Sequence, residues 1–308
     1  MPLCKKNSVL VIVGPTATGK SALALTVAER VAAEIISGDS MLVYRGFDIG
    51  TAKPTAAERQ SVPHHLIDCK EPTEKYSAAE FQADATRLIV EINARGHLPI
   101  VVGGTGLYIK ALAEGYDFLP ATPHNGFRAE MEQVLKTEGV AGLYKRLSEA
   151  NPAAAEKIDR QNPRRLVRAL EAAYFGETAE KKKRGLPPDF QLTVAGMNLP
   201  RPLLYERINK RVDKMLAAGL IDEIKKLLAG GVPRDAPAMQ GIGYKELLTY
   251  LDGQTDLNTA TEELKAATRH FAKRQLTWYK KMPYIVWLDA EKSLDELADC
   301  VSALLKQK

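Results

Sequence analysis

The chain is poor in the residues that build stapled or metal-bound folds. It has three cysteines in 308 residues, Cys4, Cys69 and Cys300. The number is odd, the spacings are wide and no Cys-x-x-Cys occurs. This argues against a disulfide framework and a zinc site, and suits a reducing cytoplasm. Histidine is scarce at five, and the adjacent pair His64-His65 on an extended segment points to opposite sides, which makes a poor metal site. No apolar run is long enough to span a membrane. The short run at residues 8–13 ends in a glycine motif rather than a cleavage site and reads as a first buried strand. No internal repeat is visible, and low complexity is confined to Lys181-Lys-Lys-Arg184.

The rest of the composition is ordinary, with 45% hydrophobic and 26% charged residues, which excludes a disordered chain and a collagen. The net charge is +5 but is spread unevenly. Residues 157–184 hold nine Lys/Arg against four Asp/Glu, and residues 264–281 hold six Lys/Arg and no acid. These two segments carry +11 and leave the remainder at −6. Such clustering points to an anionic partner more clearly than the total does.

Strand and helix patterns alternate in the first third. Residues 9–13 form a β-branched run, 21–33 an apolar helical segment, 34–37 a second strand, and 38–63 a polar loop. Ser77 and Glu80 form a capping box that opens a helix to about Arg95, and 99–102 is another buried strand. This order predicts an α/β fold, a parallel sheet covered by helices, with ligands at the C-terminal strand ends. From about Pro120 to Thr193 the pattern is helical. Asn162 caps a helix with Pro163 at its first position and Leu166, Leu170 and Ala173 on its buried side. The main body resumes with a strand at 191–196, helices at 207–216, 221–228 and 262–281, a strand at 284–288 and a helix at 294–305.

Gly14-Pro15-Thr16-Ala17-Thr18-Gly19-Lys20-Ser21 fits G-x-x-x-x-G-K-[ST]. Glycines let backbone N–H groups curl around a phosphate, the following helix adds its positive end, Lys20 supplies a point charge, and Ser21 offers a ligand to Mg²⁺. A chance match in a chain this long is about a one-in-a-hundred event. The motif specifies a diphosphate or polyphosphate and leaves the reaction open. Two other strand ends supply candidates. Asp39 in Ser37-Gly-Asp-Ser40 is a general base, a metal ligand or a turn cap. Gly103-Gly-Thr105 is a close-approach turn whose Thr105 hydroxyl suits a phosphate oxygen, or simply a tight turn.

The two basic segments allow a solvated face or a nucleic-acid contact. Arg164 and Arg168 share a helix face. In the second segment Lys265, Arg269, Lys273 and Lys280 fall within about 80° of arc. Leu264, Phe271 and Trp278 lie on the other side, with Trp278 expected in the core. A basic stripe without an acid suits a phosphate backbone.

Taken together, these segments resemble the tRNA dimethylallyltransferases, also called tRNA isopentenyltransferases, over nearly the whole chain. The resemblance rests on the loop at 14–21 and on Gly38-Asp-Ser-Met-Leu-Val-Tyr-Arg-Gly-Phe-Asp-Ile-Gly-Thr-Ala-Lys-Pro54. It extends through His64-His-Leu-Ile-Asp68, Tyr76-Ser-Ala-Ala-Glu-Phe81 and Gly103-Gly-Thr-Gly-Leu-Tyr108. It continues with Asn162-Pro-Arg-Arg-Leu-Val-Arg-Ala-Leu-Glu171, Ile242-Gly-Tyr-Lys-Glu246 and Thr268-Arg-His-Phe-Ala-Lys-Arg-Gln-Leu-Thr-Trp278.

The resemblance implies a P-loop NTPase-like core, residues 1–119 and 194–308, with an inserted all-helical domain at 120–193 that clamps tRNA. It implies transfer of a dimethylallyl group from dimethylallyl diphosphate to N6 of the adenosine 3′ to the anticodon, in tRNAs reading codons that begin with U. The loop at 14–21 and Arg211 would hold the donor's diphosphate with Mg²⁺ on Ser21. Asp39 would be the general base, with Thr105 and Lys20 also catalytic. Contacts to tRNA would come from Asp39, Ser40, Met41, Leu42, Thr105 and Arg128, and from Arg164, Arg165, Leu166, Val167 and Arg168. Further contacts would come from Gln240, Gly241, Ile242, Gly243, Tyr244 and Lys245, and from Lys273, Arg274, Gln275, Leu276, Thr277, Trp278, Tyr279 and Lys280.

Three departures stand out. Leu42 replaces a frequent glutamine, the stretch 174–188 is short and lysine-rich, and no Cys/His pair follows the C-terminal helix. The last points to the bacterial type of the family. A cytoplasmic monomer with no membrane partner is expected. The competing readings are an adenylate isopentenyltransferase of cytokinin synthesis, a P-loop small-molecule kinase and a non-catalytic RNA-binding module. A mononucleotide substrate needs neither the insertion nor the basic helix, and an RNA-binding module needs neither Asp39 nor the phosphate loop.

Overall fold

A strand covered on both faces must be apolar throughout, and the first strand of the chain is buried at every position. In the computed structural model, which describes residues 8–116, 118, 125–176 and 190–306, this is β1 (Ser8–Val13). There follow α1 (Lys20–Arg30), β2 (Ala33–Ser37), α2 (Ala56–Ser61), β3 (His64–His65), α3 (Ala78–Ala94), β4 (Leu98–Gly103) and α4 (Gly106–Glu114). Then come α5 (Asn125–Ala150), α6 (Pro152–Lys157) and α7 (Pro163–Phe175). The remainder is β5 (Gln191–Asn198), α8 (Arg201–Ala217), α9 (Leu220–Ala229), α10 (Tyr244–Leu251), α11 (Leu257–Tyr279), β6 (Ile285–Asp289) and α12 (Leu294–Lys306).

The chain divides into two units, residues 1–114 with 186–308, and residues 115–185. In the first, six strands form one parallel sheet in the order β3-β2-β4-β1-β5-β6. Leu10, Ile12, Ile35, Ile100 and Ala195 from four strands pack with Leu23 and Val27 of α1 and Leu297 and Val301 of α12. A second cluster gathers Phe47, Val212, Ile224, Tyr244, Leu247 and Leu264 from the loop after β2 and from α8 to α11.

The strand pairing corrects the expected domain border. Residues 191–193 already pair with Ser8, Val9 and Leu10 of β1, so the sheet is rejoined before residue 194. The expected border at Pro120, the stretch 181–184 and Cys4 lie outside the described residues. The first helix stops at Arg30, because Ala33 already pairs with Leu98 in the sheet. The loop expected at 38–63 contains α2, whose Thr55 and Glu58 side chains cap reciprocally, as Ser77 and Glu80 do for α3.

The second unit is helical where described. Gly139, at φ 69°, breaks the helical path of α5. Met131, Val134, Leu143 and Leu147 of α5 pack on Ala155 of α6 and on Leu166 and Leu170 of α7. The Asn162 side chain accepts the Arg165 N–H at 3.2 Å, and Pro163 opens the helix.

Candidate active site

Strands β1, β4 and β2 are neighbours and run parallel, so the turns after them open on one edge of the sheet. After β1 comes the phosphate loop. Gly14 has φ 145°, and a side chain there would collide with the Met197 carbonyl on β5. Ala17 sits at φ 65°, strained for a residue with a Cβ, and such strain gathers where a backbone must present amides to a ligand. Gly19, at φ 92°, is the N-cap of α1 and offers no capping side chain, so the first-turn N–H groups of α1 are left for an anion. The Thr18 hydroxyl and the Lys20 ammonium both donate to the Pro15 carbonyl, at 2.9 and 2.7 Å. Burial and the nearby charge of Arg211 push the Lys20 amine down to about 8, against a smaller upward pull from Asp39.

The turns after β2 and β4 are stitched together. The Gly38 N–H donates to Val102 O at 2.7 Å, and the Thr105 N–H to Gly38 O at 3.3 Å. A side chain on Gly103 would overlap the backbone of Gly38. Thr105 Oγ1 accepts the Ser40 N–H at 3.0 Å and lies 3.3 Å from Ser40 Oγ. Asp39 uses one oxygen, Oδ1, to accept the Met41 N–H at 2.9 Å. Its charge is felt by both Lys20 and Arg211. Arg211, on α8, donates to Thr51 O at 3.4 Å, and burial lowers its pKa. The structure therefore brings together Asp39, Thr105, the loop 14–21 and Arg211. Ser21 is exposed on the first turn of α1.

The run 273–280 divides by face. Lys273, Arg274, Thr277, Trp278 and Lys280 are exposed and Leu276 is half-buried, while Gln275 and Tyr279 are buried. Gln275 Oε1 accepts the Thr16 N–H at 2.9 Å, its Nε2 donates to Gly104 O at 2.8 Å, and the Tyr279 hydroxyl reaches Gly103 O at 3.4 Å. Trp278 is 38% exposed rather than in the core, and its ring lies against Gly106 and under Lys110. The reason is rotational. A sevenfold spacing drifts by about 20° per repeat, so a line from Leu264 through Phe271 has turned out of the core by Trp278. The buried side runs instead through Leu264, Ala272, Gln275 and Tyr279. Two cations of the expected stripe are also engaged internally. Lys265 pairs with Asp213 and Glu262, and Arg269 donates to Asn209 at 2.7 Å.

Other predicted residues separate in the same way. Gln240 and Lys245 are exposed, Gly241 and Ile242 half-buried, and Gly243 and Tyr244 buried. Gly241 packs against Met41, where a side chain would strike the Met41 methyl. Ser40 and Leu42 are half-buried; Leu42 lines a cavity of about 30 Å³ with Ser21, Ser37, Pro54, Ile67 and Val102. The Tyr244 hydroxyl donates to Glu223 at 2.7 Å, and the Glu223 carboxylate also accepts the N–H groups of Asp48, Ile49 and Gly50. Glu223 thus holds the loop whose Thr51 carbonyl receives Arg211, and no local pattern announces it, because its amide partners lie over 170 residues away. Lys53 is likewise buried, paired with Asp48 and Asp68.

In the second unit, Arg164 and Arg165 are exposed, Val167 is half-buried and Leu166 is buried. Arg128 and Arg168 both grip Glu171, whose side chain is 1% exposed. Burial pushes the Glu171 carboxyl up, but the two guanidiniums outweigh it and hold it below the usual carboxylate range. Among the described residues no three His, Cys, Asp or Glu side chains form a metal cage, and no helix is long and apolar enough to cross a membrane. The cysteines described, Cys69 and Cys300, are free.

Comparison with known proteins accords with this geometry. The family model described as IPP transferase matches residues 42–282. A tRNA dimethylallyltransferase of Carboxydothermus hydrogenoformans is 48% identical over 302 residues, covering 95% of this chain and 96% of the relative. The crystal structure of a full-length tRNA isopentenylpyrophosphate transferase from Bacillus halodurans superposes with a TM-score of 0.74 at 43% identity, covering 98% of each chain. A eukaryotic dimethylallyltransferase, solved acting on tRNA, matches with a TM-score of 0.73 at 29% identity, over 92% of this chain and 74% of its own. On the phosphate loop, the strand-end turns and these matches, the chain belongs to the IPP transferase family, that of the tRNA dimethylallyltransferases.

Proposed function

We propose that the chain transfers the dimethylallyl group of dimethylallyl diphosphate to N6 of the adenosine 3′-adjacent to the anticodon, in tRNAs reading codons that begin with U. The products are N6-(dimethylallyl)adenosine and diphosphate. The observation that carries this reading is the meeting of an uncapped phosphate loop with Asp39, Thr105 and Arg211 at one sheet edge.

Charge develops on the leaving diphosphate. The α1 amides, Lys20 and Arg211 are already in place to receive it, and donors fixed before reaction stabilise that charge most effectively. The Ser21 hydroxyl, on the first turn of α1, would hold a Mg²⁺, an ion that keeps most of its waters and so needs no protein cage. Bound there, Mg²⁺ would offset the diphosphate's charge. The adenine amine is a poor nucleophile because its lone pair is delocalised into the ring, and it must shed a proton as the new C–N bond forms. Asp39 holds one oxygen on the Met41 N–H, which fixes the carboxylate and leaves the other oxygen to take that proton. The target base must be swung out of its loop to reach this group.

The exposed cations Arg164, Arg165, Lys273, Arg274, Lys245 and Lys280 suit the tRNA backbone. The helical second unit clamps the anticodon stem on this reading, and the enzyme works as a cytoplasmic monomer. The test is purified protein with labelled dimethylallyl diphosphate, Mg²⁺ and either unmodified tRNA or AMP. Label should move to tRNA. Label on AMP alone would replace this reading with an adenylate isopentenyltransferase, and γ-phosphate transfer from ATP to a metabolite with a kinase.

A further inference from the structure

Arg211 brings a cation to the candidate site on a slender tether. The guanidinium is half-buried, and its one hydrogen bond among the described residues goes to Thr51 O at 3.4 Å. It lines a cavity of about 540 Å³ with Asp48, Ile49, Lys53 and Lys214, so close packing does not fix its direction. That direction depends on where the turn at 48–51 stands, and the turn is seated on Glu223 of α9. We propose that Glu223 is a positioning residue for the transfer reaction, holding the turn at 48–51 so that its Thr51 carbonyl keeps Arg211 turned towards Lys20 and Asp39. The proposal rests on the reading of Arg211 as a ligand of the donor.

The Glu223 carboxylate accepts three consecutive amides. Oε2 takes those of Asp48 at 3.0 Å and Ile49 at 2.7 Å, and Oε1 that of Gly50 at 3.3 Å. Oε1 also accepts the Tyr244 hydroxyl at 2.7 Å, which fixes the carboxylate in its own place. Amides that donate to an ionised carboxylate make charge-assisted bonds, stronger than neutral ones. Thr51, whose carbonyl Arg211 meets, is the next residue. The turn does not hold itself. Ala52 follows at φ 50°, strained for a residue with a Cβ, and such a backbone persists only when its surroundings fix it. Lys53 ties the far limb, to Tyr44 O at 2.8 Å and Asp48 at 2.7 Å; Glu223 ties the near one. Gly50 lets the near limb close, because a Cβ there would strike the Tyr244 ring. The residue type fits the task. A glutamine has one acceptor oxygen and would turn its amino group against the N–H donors, and an aspartate is one methylene short. Aim matters at such a site, since a group misplaced by about 1 Å can lose about 10²-fold in rate.

The test is a double-mutant cycle on the full chain with Glu223→Gln, Arg211→Ala and the two together. It reads kcat/KM for dimethylallyl diphosphate at saturating tRNA, beside tRNA affinity and melting temperature. Glu223→Gln should lower kcat/KM about tenfold with tRNA affinity unchanged, and in the Arg211→Ala background it should cost less than about twofold more. Gly50→Ala displaces the same turn and leaves Glu223 in place, and it should give the same pattern should Glu223→Gln fold poorly. Glu34→Gln, which loses stability elsewhere in the sheet, should leave kcat/KM intact. Losses that simply multiply across the cycle would make Glu223 a structural residue and overturn the proposal. So would wild-type kcat/KM in folded Glu223→Gln, or a loss confined to tRNA binding. A wild type that prenylates no tRNA overturns the reading of the site and the proposal with it, whereas a multiplicative cycle in an active enzyme overturns the proposal alone.

Discussion

Strand β2 carries a carboxylate at each end, and the two are used in opposite ways. Glu34, at its start, has a side chain 5% exposed and is saturated. Arg95 forks onto it at 2.8 and 2.7 Å, His65 Nε2 lies at 2.7 Å and His97 Nδ1 at 2.9 Å. Arg95 above all, with the two histidines, holds the carboxyl down at about 2 against the upward push of burial. Asp39, just past the other end, spends one oxygen on one amide and makes no direct ion pair among the described residues. A carboxylate whose lone pairs are all engaged ties together β2, β3 and the approach to β4; one left partly unengaged beside two cations can take a proton and answer to a ligand. The same side-chain chemistry serves structure or reaction according to how much of its bonding capacity the fold consumes.

Breaking this contrast should give effects of very different size. Asp39→Ala should lower turnover by about 10²–10⁴-fold with tRNA binding retained; single-turnover transfer to tRNA measures it, and near-wild-type activity would remove Asp39 from the role of base. Lys20→Met should abolish donor binding at neutral pH, read by diphosphate calorimetry. In the wild type that affinity should weaken as pH rises through about 8, where the free lysine loses its proton. Glu34→Gln should leave turnover intact at low temperature but cost about 2 kcal/mol of stability, the range for hydrogen bonds to a charged group.

The sign of the Glu34 effect follows from the depressed pKa. Its stabilising contribution is present above the ordinary carboxylate value near 4.5 and is lost as pH falls from there towards 2. Melting temperatures of wild type and variant should therefore converge in acid; a constant gap would mean that the ion cluster is not its source. Lys273→Ala with Arg274→Ala should weaken tRNA binding and lower the salt slope by about one per charge removed. Lys265→Ala should leave that slope unchanged, because its ammonium is paired with Asp213 and Glu262.

The parts legible in the sequence were those with local causes. The β-branched run at 9–13, the Ser77–Glu80 box, the Asn162-Pro163 start and the phosphate loop are each written within a few residues, and each forms as expected. Asp39 and Thr105 were legible as strand-end residues, but their union through Ser40 depends on β2 and β4 being neighbours, a fact of topology. The division of 273–280 into inner and outer faces was not legible. Gln275 reads as one more polar residue in a basic run, and its partners lie at Thr16 and Gly104. Glu223 was hidden for the same reason: its amide partners at 48–50 share no spacing with it. Thr55–Glu58 is the exception, since the capping pattern was present inside a segment read as loop.

The pairing of β1 with β5 has a consequence for the order in which the molecule comes into being. Ser8 meets Gln191, and Gly14 rests on Met197, so the second flank of the phosphate loop is supplied by chain made long after the loop itself. The tie from Thr16 to Gln275 spans 259 residues and closes later still. On a ribosome, β1, β2 and β4 can assemble early, yet the ties that brace the loop after β1 stay unfinished until the chain has emerged past Gln275. Contacts this distant in sequence are slow to form. A partly synthesised chain therefore has helices and the beginning of a sheet but an unbraced loop after β1, and so no finished donor site on the proposed reading.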